Sequence, residues 1–461
     1  MKKNPETSAG RRSFLKAGAG FLGATLFGGM PFRSFAATAA LRPADRCFVF
    51  VYFSGGWDQL LAFDPRDPAE FTAERVSETR ILPGYSFTDA RFPSQPIRPD
   101  VAGRGRSNID FGPAVGDFAN HYDLMTVVRG INMTTLAHEE GMRYFITGKR
   151  PIGAAARGSS TATEVVGQMS PAVPIPSIAM NVESYNEGYP GSANALRVNN
   201  RNDLLLTLGK TKVPLDSEME KHLLDLNGQP ITCEAAAYGA GGVGKTYATS
   251  REQMQQVLSS GLDTAFDFGF NDQEHADLRG AYNLTSTASY DQPAGRAALV
   301  ATALKKGISQ CVSINLVGGL DTHFGTQTSH AINQRSGFDA LNLLVKDLRN
   351  SPHPSGGNFM DHTTIMVYSE FSRTPLINAS SGRDHHLTNS CLLMGAGLKN
   401  NQVFGRSGNV AMTPAVVDLR TGVSDPNGSN ILPEHIIATV LASAKLDYSI
   451  TRVQPLQSLL A

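Results

Sequence analysis

The sequence predicts an α/β protein in which a mostly parallel sheet lies between two layers of helices, a three-layer α/β/α sandwich with a helical insertion. Residues 47–53 read CFVFVYF, which is almost entirely apolar and β-prone. Such a run is typical of a strand that helices cover on both faces, as in parallel sheets. Similar runs recur along the 461-residue chain, and helical patterns lie between several of them.

The remaining elements follow from the same patterns. Strands are predicted at residues 47–53, 124–128, 177–180, 311–317, 363–368 and 390–394. Helices are predicted at residues 138–147, 216–225, 251–258, 294–305, 329–348 and 433–441. Between residues 181 and 292 the strand signals thin out and polar, glycine-containing, helix-prone sequence dominates. We therefore expect an inserted helical subdomain there.

The N-terminal segment predicts export. A polar, basic stretch is followed by Arg11-Arg12-Ser13-Phe14-Leu15-Lys16, the pattern of a twin-arginine signal. A short apolar run rich in glycine and alanine comes next, and small residues at 36–40 suit a signal peptidase. We expect residues 1–40 to be the signal peptide, the twin-arginine translocase to be the export partner, and the mature domain at 41–461 to be periplasmic or secreted. The alternative is an uncleaved anchor, but the run is shorter than the ~20 apolar residues of a spanning helix.

Charge and cysteine content narrow the classes further. Without residues 1–40 the chain has 35 basic and 40 acidic residues, so it lacks the basic footprint of a nucleic-acid-binding protein. No other stretch is long and apolar enough to predict a membrane span. The four cysteines include no close pair and are expected to be buried thiols, although an exported protein allows a disulfide. They are Cys47, Cys233, Cys311 and Cys391.

Polar side chains that suit a metal ion cluster next to four of the predicted strands. In an open α/β sheet the loops at the carboxyl ends of the strands converge on one crevice. Carboxylates and imidazoles brought together there repel or stay unpaired unless a cation joins them. Zinc, alone or with a second divalent ion, fits mixed Asp, Glu and His ligands, and manganese, calcium and magnesium remain alternatives. The candidate metal ligands are Asp58, Asp321, His323, Glu370, Asp384, His385 and His386.

Each cluster also has an ordinary structural explanation. An aspartate after two glycines, such as Asp58, is often only a turn or helix cap. The segment of Asp321 could be a surface loop beside a core strand, and Glu370 could simply be an ion-pair partner of Arg373. The paired histidines could form a hydrogen-bonded loop. All four clusters in one chain favour the metal site over four separate coincidences.

These segments carry a resemblance to a known family. GGWD ending at Asp58, DTH at 321–323, SEFSRT at 369–374 and DH at 384–385, together with the export signal, occur in an order that resembles the domain-of-unknown-function 1501 family. The likeness spans nearly the whole mature chain. That family is similar to the sulfatase and alkaline phosphatase superfamily, whose α/β/α sandwich binds divalent metals and phosphate or sulfate esters.

The resemblance implies roles for individual residues. It implies that Asp58, Asp321, His323, Glu370 and His385 hold metal. Beside such a site, Arg373 is expected to be available for an anionic ester. The sequence departs from the superfamily at Phe371, where a histidine usually follows the acidic ligand. This departure puts one of the two metal positions in doubt.

The nucleophile is a second departure. In the superfamily a serine, threonine or modified cysteine begins a helix that ends in Thr-Gly, and Thr147-Gly148 provides that ending here. Counting back ten or eleven residues reaches His138 and Ala137, while Thr134 and Thr135 lie a turn too early and suit helix caps better. His138 is therefore expected to act as a ligand or general base, and a metal-activated water is the preferred nucleophile.

A glycine-rich segment at residues 239–246, GAGGVGKT, matches the phosphate-binding loop pattern letter for letter. The mechanism of that loop requires a buried strand before it, and the preceding TCEAAAY is a poor strand. We interpret the segment as a flexible loop.

Two hypotheses from different classes follow. The first is an exported, metal-dependent hydrolase that acts on phosphate or sulfate esters through a metal-activated water. The second is a secreted binding or structural protein that keeps the fold without turnover.

Overall fold

A computed structural model of the chain describes residues 45–153, 155–209, 216–228, 257, 260–269, 273, 275–325 and 327–461. Several predicted features lie outside these residues. They are the paired-arginine signal at 11–16, Cys233, the glycine-rich segment at 239–246 and, apart from residue 257, the helix at 251–258.

The described strands include all six that the sequence predicts. In chain order they are β1 (Cys47–Phe53), β2 (Asp100–Val101), β3 (Gly105–Arg106), β4 (Met125–Asn132), β5 (Ser177–Met180), β6 (Leu196–Val198), β7 (Cys311–Val317), β8 (Thr363–Tyr368), β9 (Ser372–Arg373), β10 (His385–His386), β11 (Thr388–Gly395) and β12 (Gln402–Gly405).

The described α-helices match five of the six predicted ones within a few residues. They are α1 (Val76–Thr79), α2 (His138–Thr147), α3 (Thr161–Met169), α4 (Arg201–Leu208), α5 (Ser217–Gly228), α6 (Asp263–Phe266), α7 (Ala276–Ala281), α8 (Pro293–Lys305), α9 (Gln327–Asn350), α10 (Phe359–His362) and α11 (Pro433–Ser443). Short 3-10 helices lie at Ala73–Arg75, Gly116–Leu124, Gly191–Ala193, Thr287–Asp291, Ser449–Thr451 and Gln457–Leu459. A helix with the length and apolarity that crossing a membrane demands is not found among the described residues.

The central sheet has eight strands in the order β12-β4-β11-β8-β1-β7-β5-β6. Every neighbouring pair is parallel except the two that involve β11, which runs antiparallel to both β4 and β8. The predicted mostly parallel sheet is therefore confirmed. Strand β1 lies in the middle of the sheet and all of its residues are buried, as its uninterrupted apolar sequence predicted.

Helices cover both faces of this sheet. Val49, Val51 and Phe53 of β1 point into one apolar core, which also contains side chains of α8 and α9. Phe48 and Phe50 point into the opposite core, which contains side chains of α2, α3 and α11. The alternation of the strand thus supplies two separate cores, and the predicted α/β/α sandwich is confirmed.

The stretch predicted as a helical insertion is only partly helical. Strand β6 lies within it and extends the sheet next to β5. Val198, Leu204, Phe266 and Tyr290 pack in the same core as α8, so the described parts of the stretch join the main domain. The three-residue strand was missed because it is too short to show a recognisable alternation.

The described cysteines are free, buried thiols. Cys47 faces the core of α8 and α9, whereas Cys311 and Cys391 face the opposite core. The strands of Cys311 and Cys391 are separated by β1 and β8, a distance of ~14 Å at the usual strand spacing. A disulfide between these two cysteines would need Cα atoms within about 7 Å.

Candidate metal centre

The topology explains why residues far apart in sequence meet at one edge of the sheet. Strands β1, β4, β7 and β8 all run in the same direction, so their carboxyl ends share an edge. The loops after these strands carry Asp58, His138, Asp321 and Glu370. Because β11 is antiparallel, its beginning lies at the same edge, and the segment before it brings His385 there.

Asp321 lies at the centre of a group of imidazoles. Its Oδ1 atom is 3.5 Å from His138 Nε2, 3.2 Å from His323 Nε2 and 3.5 Å from His385 Nε2. One ligand atom from each of His138, Asp321 and His385 lies within 4.8 Å of the other two. His323 extends the group, since its Nε2 lies 2.8 Å from His385 Nε2. We call these four residues the centre.

Each imidazole of the centre is held through its other ring nitrogen. His138 Nδ1 lies 2.6 Å from Glu370 Oε1, and His323 Nδ1 lies 2.8 Å from Asp384 Oδ1. His385 Nδ1 lies 2.7 Å from the carbonyl oxygen of Leu136. Carboxylate and carbonyl oxygens accept hydrogen bonds, so the Nδ1 atoms donate, and each neutral ring keeps a lone pair on Nε2.

This donor set fits a divalent metal ion. His138 Nε2 is buried and has no hydrogen-bond partner. The Nε2 atoms of His323 and His385 lie 2.8 Å apart, so the lone pairs of two neutral rings protonated at Nδ1 would repel unless a proton or a metal cation lay between them. Ligand atoms of a tetrahedral zinc ion lie about 3.3 Å apart when the metal–nitrogen distance is 2.0–2.1 Å. The distances from Asp321 to the three imidazoles are close to that spacing.

Glu370 lies behind the centre and contacts it through His138. The side chain is buried, and Oε1 accepts hydrogen bonds from His138 Nδ1 and the Gly55 amide while Oε2 accepts one from Ser369 Oγ. In this structure Glu370 therefore orients His138, and its role as a ligand stays a prediction. Its hydrogen bond also raises the pKa of His138. A carboxylate behind a ligating histidine is a common partner in metal sites.

Asp384 has the same role on the opposite side of the centre. Its Oδ1 accepts hydrogen bonds from His323 Nδ1 and, at 3.0 Å, from Asn378 Nδ2. The hydrogen bond from His323 lowers the pKa of Asp384. In this structure Asp384 thus orients His323, and its role as a ligand stays a prediction.

Asp58 corresponds to the ordinary explanation considered for it. Its Oδ1 accepts a hydrogen bond from the Leu60 amide at 2.9 Å, and its Oδ2 pairs with Arg383 Nε at 2.9 Å. The carboxylate is almost fully buried in this ion pair. In this structure Asp58 is a turn cap and a partner of Arg383, and its role as a metal ligand stays a prediction.

His386, also predicted as a ligand, has protein partners on both ring nitrogens. Its Nε2 donates to the carbonyl oxygen of Ala411 at 2.9 Å, and its Nδ1 accepts from the Thr388 amide at 3.2 Å. Neither nitrogen keeps a free lone pair. The neighbouring residue His385 points the other way, because successive side chains of an extended segment alternate.

Arg373 is not available to an ester. Its side chain is 0% exposed and donates to the carbonyl oxygens of Gly55, Gly56 and Arg383. It also donates to Asp321 Oδ1 at 2.6 Å. Burial works to raise the pKa of Asp321, but Arg373 outweighs it and the net pKa of Asp321 is lowered. The predicted ester contact of Arg373 is therefore corrected: it fixes Asp321 and the loop after β1.

Phe371 fills the position where a second histidine was expected. Its ring is fully buried, with centroids 4.7 Å from the His138 ring and 4.4 Å from the His385 ring. A Cβ atom on Gly56 would lie 2.6 Å from the Phe371 ring, and Gly56 has a φ of +78°. The glycine therefore lets the loop after β1 pack against this ring, which braces both imidazoles.

The hydroxyl groups before α2 differ from each other. Thr135 Oγ1 donates to Glu140 Oε2 at 2.7 Å and accepts from the Ala137 amide, which is the bonding of a cap. Thr134 has a φ of 56°, and its Oγ1 is buried without a hydrogen-bond partner.

Sequence reasoning missed several residues that position the centre. His330 Nδ1 lies 2.7 Å from Thr322 Oγ1, so it holds the segment between Asp321 and His323. Gln334 Oε1 accepts a hydrogen bond from the Asp58 amide and so links α9 to the loop after β1. His330 and Gln334 are four residues apart and therefore lie on one face of α9. Two polar residues at this spacing on an otherwise apolar helix face are the sequence signal that could have revealed them.

The family profile described as "Protein of unknown function (DUF1501)" matches residues 44–426. The chain belongs to the DUF1501 family. No functionally curated protein matches the sequence. The matched region of this DUF1501 protein includes every residue of the centre.

Solved structures resemble the chain at low identity. Ps i-CgsB in complex with k-i-k-neocarrahexaose is 8% identical, with a TM-score of 0.36 over 89% of this chain and 75% of that one. The alkaline phosphatase of the Antarctic bacterium TAB5 is 9% identical, with a TM-score of 0.31 over 87% of this chain and 99% of that one. A variant of the TAB5 enzyme with Mg bound in its M3 site is 10% identical, with a TM-score of 0.34 over the same shares. Similarity of this degree does not identify the functional site or the function of this DUF1501 protein.

Proposed function

We propose that this protein is an exported, metal-dependent hydrolase that acts on phosphate or sulfate esters. The observation that supports the proposal is the convergence of the Nε2 lone pairs of His138, His323 and His385 around Asp321. Each ring is fixed in that tautomer by an acceptor on its far side. An arrangement of this kind suits binding of a divalent ion such as zinc, with manganese, magnesium or calcium as alternatives.

The residues of the centre then have separate tasks. Asp321 and the three imidazoles would hold the ion, while Glu370 and Asp384 keep two of the rings oriented. Arg373 neutralises Asp321 from the protein side. A bound divalent ion polarises an ester oxygen and lowers the pKa of a water molecule, so that hydrolysis proceeds at neutral pH. No protein nucleophile is required by this scheme.

Export completes the proposal. Arg11 and Arg12 in their usual context favour the twin-arginine translocase as partner and a periplasmic or secreted location. This pathway carries folded proteins, which suits a protein whose metal must be inserted before it leaves the cytoplasm. Removal of residues 1–40 would release the mature domain.

A non-catalytic binding protein is the second candidate, and two observations favour it. Arg373, the predicted contact of the ester, is buried, and its N–H groups donate hydrogen bonds to groups of the protein. Thr135 is likewise occupied as a cap. A protein with this centre could retain the metal for stability or ligand binding alone.

A panel of phosphate and sulfate mono- and diesters, each tested with zinc, manganese, magnesium and calcium, distinguishes the two candidates. We expect turnover in the wild type and a loss of at least about 100-fold in kcat/KM for Asp321→Asn, since metal catalysis contributes several kcal/mol. His386→Ala is the matched control and should keep its activity. No turnover from metal-loaded wild type across the panel would favour the binding protein, and turnover that survives Asp321→Asn would contradict the assignment of the centre.

A further inference from the structure

A polar cavity of about 380 Å³ lies at the same edge of the sheet as the centre. It is formed where β5 and β6 end, and its wall includes Asn181, Glu183, Arg197 and Asn199. Its size is that of a small-molecule site. None of these residues belongs to the centre.

The cavity and the centre share structural elements. Met142 of α2 lines the cavity, and it lies one helical turn after His138 on the same face of that helix. Strand β5 is the direct neighbour of β7, whose following loop carries Asp321. Residue Arg197 of β6 pairs with Ala179 of β5, so it lies two strands from β7, a distance of ~10 Å.

Arg197 is the cation of the cavity that no hydrogen bond from the described residues holds, and it lies near enough to Glu183 to help lower the pKa of that carboxyl, after Arg143 and Tyr185. It is exposed, and within the described part of the chain it has neither a hydrogen bond nor an ion pair. Glu183, the acid beside it, is already occupied: both of its oxygens accept hydrogen bonds from Arg143 at 2.8 Å, and Tyr185 also donates to it. Asn181 adds an exposed amide directly after β5. The cavity therefore offers a guanidinium and an amide without a competing free carboxylate.

We propose that this cavity is a substrate subsite that binds a second anionic group, a carboxylate or sulfate, of a molecule whose ester the centre would take; β6 and β7, which lead to the two sites, lie ~10 Å apart. Arg197 binds the anion through its paired N–H donors, and Asn181 contributes a further donor. The subsite supplies the cation that buried Arg373 cannot. This inference rests on the proposed function and narrows its substrates to molecules with two separated anionic groups.

The test measures binding to the zinc-loaded mature protein by calorimetry. Hexylphosphonate carries only the group for the centre, whereas 6-phosphonohexanoate adds a carboxylate at the far end of a chain of similar length. We expect 6-phosphonohexanoate to bind at least about 10-fold more tightly, the effect of one charge-assisted pair. Arg197→Gln should abolish this gain and leave the affinity for hexylphosphonate unchanged. Arg106→Gln removes one exposed charge elsewhere and should preserve the gain.

The outcomes separate the two proposals. If hexylphosphonate binds but the carboxylate adds nothing, or if the gain persists in Arg197→Gln, the subsite is refuted and the proposed function stands. If neither phosphonate binds, the centre does not take ester-like anions, and both proposals fall. Equal loss of the gain in Arg106→Gln would indicate a general charge effect and would also refute the subsite.

Discussion

Strand β8 has a histidine cluster near each of its ends, and the two clusters are built differently. At its carboxyl end the three imidazoles of the centre direct Nε2 atoms at Asp321. At its beginning His353 and His362 stack with ring centroids 3.7 Å apart and an angle of 13° between the planes. His362 Nε2 donates to the carbonyl oxygen of Gly356, and His353 Nδ1 accepts from the Ser355 amide.

The difference shows that proximity of histidines does not by itself make a metal site. Lone pairs of an imidazole lie in the plane of the ring, so two parallel stacked rings do not direct them at a common point. In the centre, Glu370, Asp384 and the Leu136 carbonyl each fix one ring through Nδ1, and the Nε2 atoms converge as a result. The orienting acceptors therefore distinguish the centre, whose Nε2 atoms converge, from the packed pair.

The largest expected effect contrasts two adjacent residues. His385→Ala removes a lone pair from the centre, and we expect zinc affinity to fall by more than about 100-fold, beyond the loss typical of supporting residues. His386→Ala should change zinc affinity by less than about threefold, because both of its nitrogens bond to the protein. Calorimetric zinc titration of both variants measures this.

The same titration of His362→Ala sharpens the comparison between the ends of β8. Zinc affinity should stay at the wild-type value, since the stacked pair does not contribute ligands. A loss in His362→Ala or His386→Ala that equals the loss in His385→Ala would mean that the centre has been assigned to the wrong histidines.

A smaller effect is expected for the orienting acceptors. Glu370→Gln keeps the shape of the side chain but weakens the hold on His138, and zinc affinity should fall by about 10- to 100-fold. Asp384→Asn should cost less, because Asp384 is 55% exposed and water can replace part of its role. Zinc titrations with circular dichroism as a folding check rank the two variants. Equal effects would show that burial of the acceptor does not matter.

The fold could be predicted from the sequence to a large extent because its strands carry an unusually plain signal. Strands such as β1 and β7 are buried on both faces, so nearly all of their residues are apolar. Few other structural elements require such a short, uninterrupted apolar run. Strand β6 was not predicted because its three residues are too few to show an alternating pattern. The antiparallel direction of β11 was not predicted because the direction of a strand is not encoded in its local sequence pattern.

The sequence indicated which segments of the chain contribute to the candidate site, but it did not indicate what each residue contacts there. Asp321 and His385 were recognised by residue type and position. Whether Asp58 or Arg373 turns toward the centre depends on tertiary partners, Arg383 for one and the Gly55–Gly56 backbone for the other. Such partners are distant in sequence, so composition and spacing do not reveal them.

The smallest effect concerns the stacked pair and pH. Burial, and then the charge of neighbouring His362, lowers the pKa of His353. The folded state thus favours the neutral ring, while the unfolded chain takes up a proton near pH 6.5. Stability from this residue is present above that pH and is lost as the pH falls toward the folded pKa.

Denaturant unfolding of His353→Gln across pH 8 to 5 checks this sign. The difference in the free energy of unfolding between wild type and variant should shift against the wild type on acidification by about 0.5 kcal/mol, the scale of partly exposed substitutions. A wild type that gains stability relative to the variant as the pH falls would reverse the assignment.

Elemental analysis of the mature protein, purified without chelator, tests the central claim most directly. It should be run beside the Asp321→Ala, His385→Ala double variant and the His386→Ala control, with folding of all three verified by circular dichroism. We predict nearly one equivalent of zinc or another divalent metal in the wild type and in His386→Ala, and its loss in the double variant. Wild-type protein that stays metal-free even after incubation with zinc and manganese would contradict the account.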